Sequence, residues 1–353
     1  MTQSLPGVRR ASPPPVAAEA PLRLTRRALP GLAAATAAPA AAMLAPRGAA
    51  AADPPWPNRP ITLVVSYPPG AITDTVGRRV GERMSVALGV PVVIENRGGA
   101  GGNVAAAYVA RARPDGYTLL ITNYGNLLIA GAADLRLDFH PERDLTPIAM
   151  IGPMTVVMLV RPDRPYRTIE EFVAYVRANP GKVNFASVGI GSSYHLLIEQ
   201  MIGFGRLDMV HVPYRGGAAA MTDFLGGRVD ATLATLLFAR PYMNDNRARA
   251  IAVANAERSP VLSDLPTVSE KGVPGARLVD GLCIMGPAGL PAQVVTRVNA
   301  VVQDILRQPD MAAWLTGEGV VPRPAPPEAF AAMMREEAEP LRRLIRENNI
   351  RLE

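Results

Sequence analysis

From residue 53 onward the chain alternates short apolar runs with amphipathic stretches, and few architectures can satisfy that alternation. Residues 61–67 (ITLVVSY) form a mostly apolar run and read as a buried strand. Residues 74–88 carry Val76, Val80, Met84 and Leu88 at helical spacing. Residues 92–96 predict a strand, 100–111 a helix and 118–122 another strand. Further strands are expected at 156–161, 183–187, 209–213, 230–236 and 249–254, with helical segments between most of them. Strands separated by helices imply α/β architecture, with parallel sheets joined by right-handed crossovers. So many strands suit two sheets better than one, and 353 residues are comfortable for two lobes. The tail differs: 291–306, 310–316 and 327–348 read as helices without intervening strands. A chain that builds one lobe, crosses over, builds a second and returns would end this way. Lobe 1 is therefore expected at 53–125 plus 256–353 and lobe 2 at 126–255. The first crossover is expected near 126–147, the least readable stretch.

Residues 1–52 form a separate N-terminal extension. The formal charge of +6 invites a polyanion partner until it is located. Arg9, Arg10, Arg23, Arg26, Arg27 and Arg47 stand there against Glu19 alone, a local balance of +5, which leaves +1 for the rest. The basic character belongs to the leader, so a nucleic-acid partner is not expected. Arg26-Arg27 precede an uncharged, alanine-rich stretch that ends in Ala50-Ala51-Ala52 before Asp53. That pattern reads as a twin-arginine-like export signal, cleaved near Ala52. Cys283 is the sole cysteine, so no intrachain disulfide can form and burial must supply the stability.

Ligands of open α/β sheets bind at the carboxyl ends of strands, where helix N-termini present free N–H groups. Four loops stand in that position. Pro68-Pro69-Gly70-Ala71-Ile72-Thr73-Asp74 follows the first strand; Gly70 lets backbone approach a ligand, and Thr73 or Asp74 can cap the next helix. Residues 95–103 (ENRGGAGGN) invite a dinucleotide reading, but Gly99-x-Gly101 is followed by Val104 where glycine is required. A packing turn is expected there. Ser187-Val188-Gly189-Ile190-Gly191-Ser192-Ser193 opens a helix and reads as a neutral anion seat. His195, one turn into that helix, is expected as a buried hydrogen-bonding residue. Tyr214 can cover a ligand and Arg215 can clamp a carboxylate, although a solvent-facing arginine is the plainer reading. His140, His195 and His211 show no metal-ligand spacing, and no nucleophile elbow or P-loop occurs. Catalytic residues, metals and cofactors are therefore not expected.

These loops, in this order and spacing, resemble the solute receptors of tripartite tricarboxylate transporters, the Bug-type periplasmic binding proteins. The resemblance runs from about Trp56 to Ile350. Further carriers are Trp56-Pro57-x-Arg59-Pro60-Ile61, Pro114-Asp115-Gly116-Tyr117-Thr118, Val210-His211-Val212-Pro213-Tyr214-Arg215-Gly216, Arg258-Ser259-Pro260, Leu265-Pro266-Thr267 and Pro287-Ala288-Gly289. The resemblance implies a periplasmic-binding-protein-like (type II) fold: two lobes, each a mainly parallel sheet flanked by helices, with a double crossover as hinge. It implies a monomeric periplasmic receptor that captures a small carboxylate and delivers it to the integral-membrane permease subunits of such a transporter. Presentation of the ligand to a membrane sensor kinase, or an enzyme on the same scaffold, are the alternatives. The implied ligand-binding residues are Pro69, Gly70, Ala71, Thr73, Asp74, Ser187, Gly189, Gly191, Ser192, Ser193, His195, Tyr214 and Arg215. Backbone amides and hydroxyls, often with ordered water, would hold the acid group. The chain departs from the family at Ala71, where a second glycine is usual, at Asp280-Gly281, where an aromatic is usual, and at Ala234-Thr235, where an Asp-Asn pair is common.

Overall fold

The computed structural model describes residues 55–133, 137–348 and 350. The expected leader lies outside these residues. Elements follow in the order β1 (Ile61–Val65), α1 (Ile72–Leu88), β2 (Val92–Asn96), α2 (Asn103–Ala110), β3 (Thr118–Asn123), α3 (Tyr124–Ala132), α4 (Pro141–Asp144) and β4 (Leu145–Pro153). Next come β5 (Val156–Val160), α5 (Ile169–Ala178), β6 (Asn184–Ser187), α6 (Ser193–Gly205), β7 (Val210–Pro213), α7 (Gly217–Leu225), β8 (Ala231–Thr235), α8 (Leu236–Asn244) and β9 (Arg249–Val253). The chain ends with α9 (Val268–Lys271), β10 (Gly281–Pro287), α10 (Ala292–Arg307), α11 (Pro309–Gly317) and α12 (Pro327–Glu347).

Two five-stranded sheets result, ordered β2-β1-β3-β10-β4 and β7-β6-β8-β5-β9. Each is mixed rather than mainly parallel. β1 pairs parallel with β2 and β3, and β6 with β7 and β8. β10 runs antiparallel to β3 and β4, and β5 antiparallel to β8 and β9. The cause is the chain path. β5 and β10 are the strands entered from the other lobe, so each arrives opposite in direction to the locally wound strands.

The strand pairing also corrects the expected boundaries. β4 belongs to the first sheet, so the first crossing falls between Pro153 and Val156 and not near Asn126. On the return, Val268, Val273, Ala276 and Leu278 pack into the second-lobe core, so the chain crosses back just before β10, well after residue 256.

Each sheet is covered on both faces. Ile61, Leu63 and Val65 point to α1 and α10, where Val76, Val80, Met84, Val298 and Val302 are fully buried. The other face packs Val64, Leu120 and Cys283 against α2, α3 and α12. In the second lobe Phe172, Phe185 and Leu197 fill one face, and Ala220, Met221 and Phe224 the other. Each fully buried Val, Leu, Ile, Met or Phe among them contributes about 1.5–3 kcal/mol of transfer free energy. α1 stops because Gly89 adopts a left-handed φ of 72° and its N–H returns to Ser85 O. Among the described residues no helix is long and apolar enough to cross a membrane.

Candidate ligand-binding site

The parallel strands aim their carboxyl ends, and the loops that follow, at the space between the sheets. Two hydrogen bonds show that these ends face one another. At the start of α6, the Ser193 N–H donates to Asn126 Oδ1 (3.2 Å) and the Ser193 hydroxyl donates to Asp280 Oδ2 (3.0 Å). Ser193 belongs to the second lobe; Asn126 sits on α3 of the first, and Asp280 at the return crossing.

The 68–74 loop is held from within. Gly70 has a φ of 85° and donates its N–H to Asp74 Oδ2 (2.9 Å). Asp74 also accepts from Arg78 Nε (3.1 Å) and Asn96 Nδ2 (2.8 Å). Burial pushes the Asp74 carboxyl up, but the bonds from Arg78, Gly70 and Asn96 outweigh it and hold the group below the usual carboxylate range. Its oxygens are thus spent on the loop. Pro69 and Gly70 are exposed, and Ala71 is the extended residue before α1. No side chain caps α1, so its first N–H groups and the positive end of its dipole remain for an acceptor outside the helix. Thr73 is buried and donates to Asn123 Oδ1 (3.4 Å).

The 187–193 loop is equally ordered. Ser192 caps α6 by accepting the His195 N–H (3.2 Å) and donates its own hydroxyl to Gly189 O (2.6 Å). Gly189 (φ 135°) donates to Ser187 Oγ, and Gly191 (φ 74°) donates to His195 Nδ1 (3.3 Å). That bond leaves the ring proton of His195 on Nε2, which faces Glu199 Oε1 at 3.3 Å. The buried ring stacks on His211, centroids 4.1 Å apart, and His211 Nε2 lies 2.6 Å from Ser187 Oγ. Burial first, and then the neighbouring His195, lower the His211 pKa to about 4.

His195, Glu199 and His211 bring their ligand atoms within 4.8 Å of one another, a spacing that raises the question of a metal. A metal on His195 Nε2 would need the ring proton on Nδ1, where the Gly191 N–H already points. The cluster as folded therefore does not fit a metal; it fits a hydrogen-bonded platform beneath the loop.

The fourth loop is placed differently. Tyr214 donates its hydroxyl to Asp223 Oδ2 (2.8 Å) on α7, so that hydroxyl is already engaged. Arg215 is exposed and forms no ion pair among the described residues. Gly216 (φ 112°) precedes α7, which also lacks a side-chain cap.

Residues that sequence reasoning missed tie the loops together. Asn126 Nδ2 donates to Tyr67 Oη (2.6 Å) and to Gly101 O (2.8 Å), and Tyr67 also donates to Gly101 O (3.3 Å). The glycine cluster expected only to pack thus lends a carbonyl to the network. Asn123 Nδ2 donates to Asp280 Oδ2 (3.4 Å), which closes a chain running Thr73, Asn123, Asp280, Ser193, Asn126, Tyr67. Asp280-Gly281 stood out in the sequence only as a departure from a pattern. Asn126 begins the stretch that offered no readable periodicity.

Two mixed sheets with loops meeting across a cleft define a two-lobed solute receptor of the periplasmic-binding type. Residues 76–350 match the model of the tripartite tricarboxylate transporter family receptor, and the chain belongs to that family. It is 34% identical over 291 residues to the protein of the tcbD–tcbE intergenic region of Pseudomonas sp. (strain P51), covering 82% of this chain and 86% of that one. To BugT of Bordetella pertussis it is 29% identical over 300 residues, covering 84% and 91%. Among solved structures it is similar to Rpa4515 of R. palustris with adipate (TM-score 0.77, 30% identity, 83% of this chain and 98% of that one). It is also similar to MatC of Rhodopseudomonas palustris with bound malate (TM-score 0.73, 33% identity, 82% and 99%).

Proposed function

We propose that the protein is a periplasmic receptor that closes its two lobes on a small organic acid and delivers it to the membrane subunits of a tripartite transporter. The observation that carries this reading is the hydrogen bonding between the two lobes at the start of α6, together with the N-termini of α1 and α7, which no side chain caps. An acid group can rest there on backbone N–H groups and hydroxyls, with water as a bridge where reach is short. Adipate and malate, held by two similar receptors, are the first ligands to try. Pro69, Gly70, Ala71 and Thr73 would line one side of the acid and Gly189, Gly191, Ser192 and Ser193 the other. The two crossings, at 153–156 and just before residue 281, would serve as hinge.

Mass spectrometry of protein purified under native conditions tests the reading. A carboxylic acid released on unfolding is the expected result. A preparation that releases none, and gives no heat with adipate, malate or related acids, contradicts it. Export is a separate part of the reading, and it rests on Arg26-Arg27 and Ala50-Ala51-Ala52. The N-terminus of the exported protein should be at or near Asp53; a mature chain that begins at Met1 would refute processing.

A further inference from the structure

Parallel pairing of β6 with β7 and β8 brings three loops to one edge of the second sheet: 187–193 before α6, 214–217 before α7 and 235–238 at the start of α8. Ser193, at the end of the first, bonds to Asn126 and Asp280, so this edge meets the first lobe. Leu236, in the third, donates its N–H to Thr155 O (2.9 Å) beside the first crossing. The polar side chains of this edge are mostly engaged. The hydroxyls of Ser187, Ser192, Ser193 and Tyr214 meet His211, Gly189 O, Asp280 and Asp223. Thr235, half-buried before α8, is the one hydroxyl of these loops without such a partner among the described residues.

Arg215 apart, what stays free is apolar. Ile190 is 53% exposed and Phe238 37%, while Val188 is half-buried. A Cβ placed on Gly217 would stand 3.8 Å from both Phe238 Cε1 and Val188 Cγ1, and one on Gly216 would meet open space. Phe238 and Val188 thus flank the N-terminus of α7, which no side chain caps. The Phe238 ring is steadied edge-on by Tyr242 (centroids 6.1 Å apart). Large apolar side chains left open beside a cleft offer contact surface to the hydrocarbon part of a ligand.

We propose that Phe238, with Val188 and Ile190 around it, determines specificity by packing on the carbon chain of the bound acid, so that the receptor selects acids with an extended body free of hydroxyls. The inference rests on the proposed function and adds the class of ligand to it. Each methylene that leaves water for such a surface improves affinity about fourfold, or ~0.8 kcal/mol. A ligand hydroxyl pressed against the same surface gives up water without gaining a partner, which weakens binding.

Calorimetric titration of the purified receptor with adipate, succinate and malate tests this. Succinate is malate without its hydroxyl, and adipate is succinate with a longer chain. Affinity should fall in the order adipate, succinate, malate. Phe238→Ala, at a part-exposed position, should weaken adipate about tenfold and leave malate unchanged or slightly tighter, because water regains its hydroxyl. Phe238→Leu keeps an apolar surface and should retain most of the adipate affinity. A general loss of fold would instead weaken all three acids alike. Malate bound more tightly than adipate, or Phe238→Ala affecting all three equally or none of them, overturns the inference while the receptor function stands. Heat from none of the three acids counts against the proposed function and removes this inference with it.

Discussion

At the scale of single residues, the cleft separates what holds the loops from what is offered to a ligand. Asp74 and His195 carry the chemistry that looks functional in the sequence, but their polar atoms are engaged by loop backbone and by the neighbouring Asn96 and Glu199 side chains. Arg215, the one cation that sequence reasoning could nominate, is exposed and forms no ion pair among the described residues. Calorimetric titration with the native acid should therefore show little loss for Arg215→Ala. Ser192→Ala removes the α6 cap and should cost about 0.5–2 kcal/mol of stability together with a modest loss of affinity. Gly191→Val places a β-branched residue at a φ of 74° and should nearly abolish binding. A hundredfold loss for Arg215→Ala, about 2.7 kcal/mol, with Gly191→Val tolerated, would mean that an arginine clamp holds the acid. The loops themselves were legible because Gly and Pro mark special backbone. Asn123, Asn126 and Asp280 were not, since an amide or carboxyl advertises no role until a partner distant in sequence stands opposite it.

At the scale of elements, periodicity located most strands and helices within a residue or two. α1 was expected over 74–88 and spans Ile72–Leu88; the three tail helices fall where they were placed. β4 and β10 escaped. β4 carries Pro147 and Pro153 and pairs with β10 through register shifts, so neither strand presents a clean alternating pattern. Their loss from the reading also explains the misplaced crossing, because β4 is the strand that keeps 145–153 in the first lobe. Packing between elements sets the largest single-site costs. Phe172 on α5 is fully buried, with its ring edge-on to Tyr166 (centroids 5.2 Å apart) and Phe185 (6.3 Å). Phe172→Ala should lose about 3–5 kcal/mol in denaturant unfolding. A loss under about 1 kcal/mol would mean that the second-lobe core can collapse around the gap.

At the scale of the whole molecule, two sheets of matching order lie on either side of a polar seam, linked by two short crossings. Residues such as Thr155 and Ser259, whose hydroxyls meet at 2.7 Å, and Asn255, which donates to Met154 O, brace the segments beside the first crossing. Such a frame lets the lobes turn as units while each core stays intact, and a ligand drives the turn only if it binds the closed form better. The central claim, that the lobes close on a small acid, is tested most directly by small-angle scattering with and without the acid recovered from the native protein. The account predicts a smaller radius of gyration with the acid at saturation; an unchanged profile at saturation would contradict it.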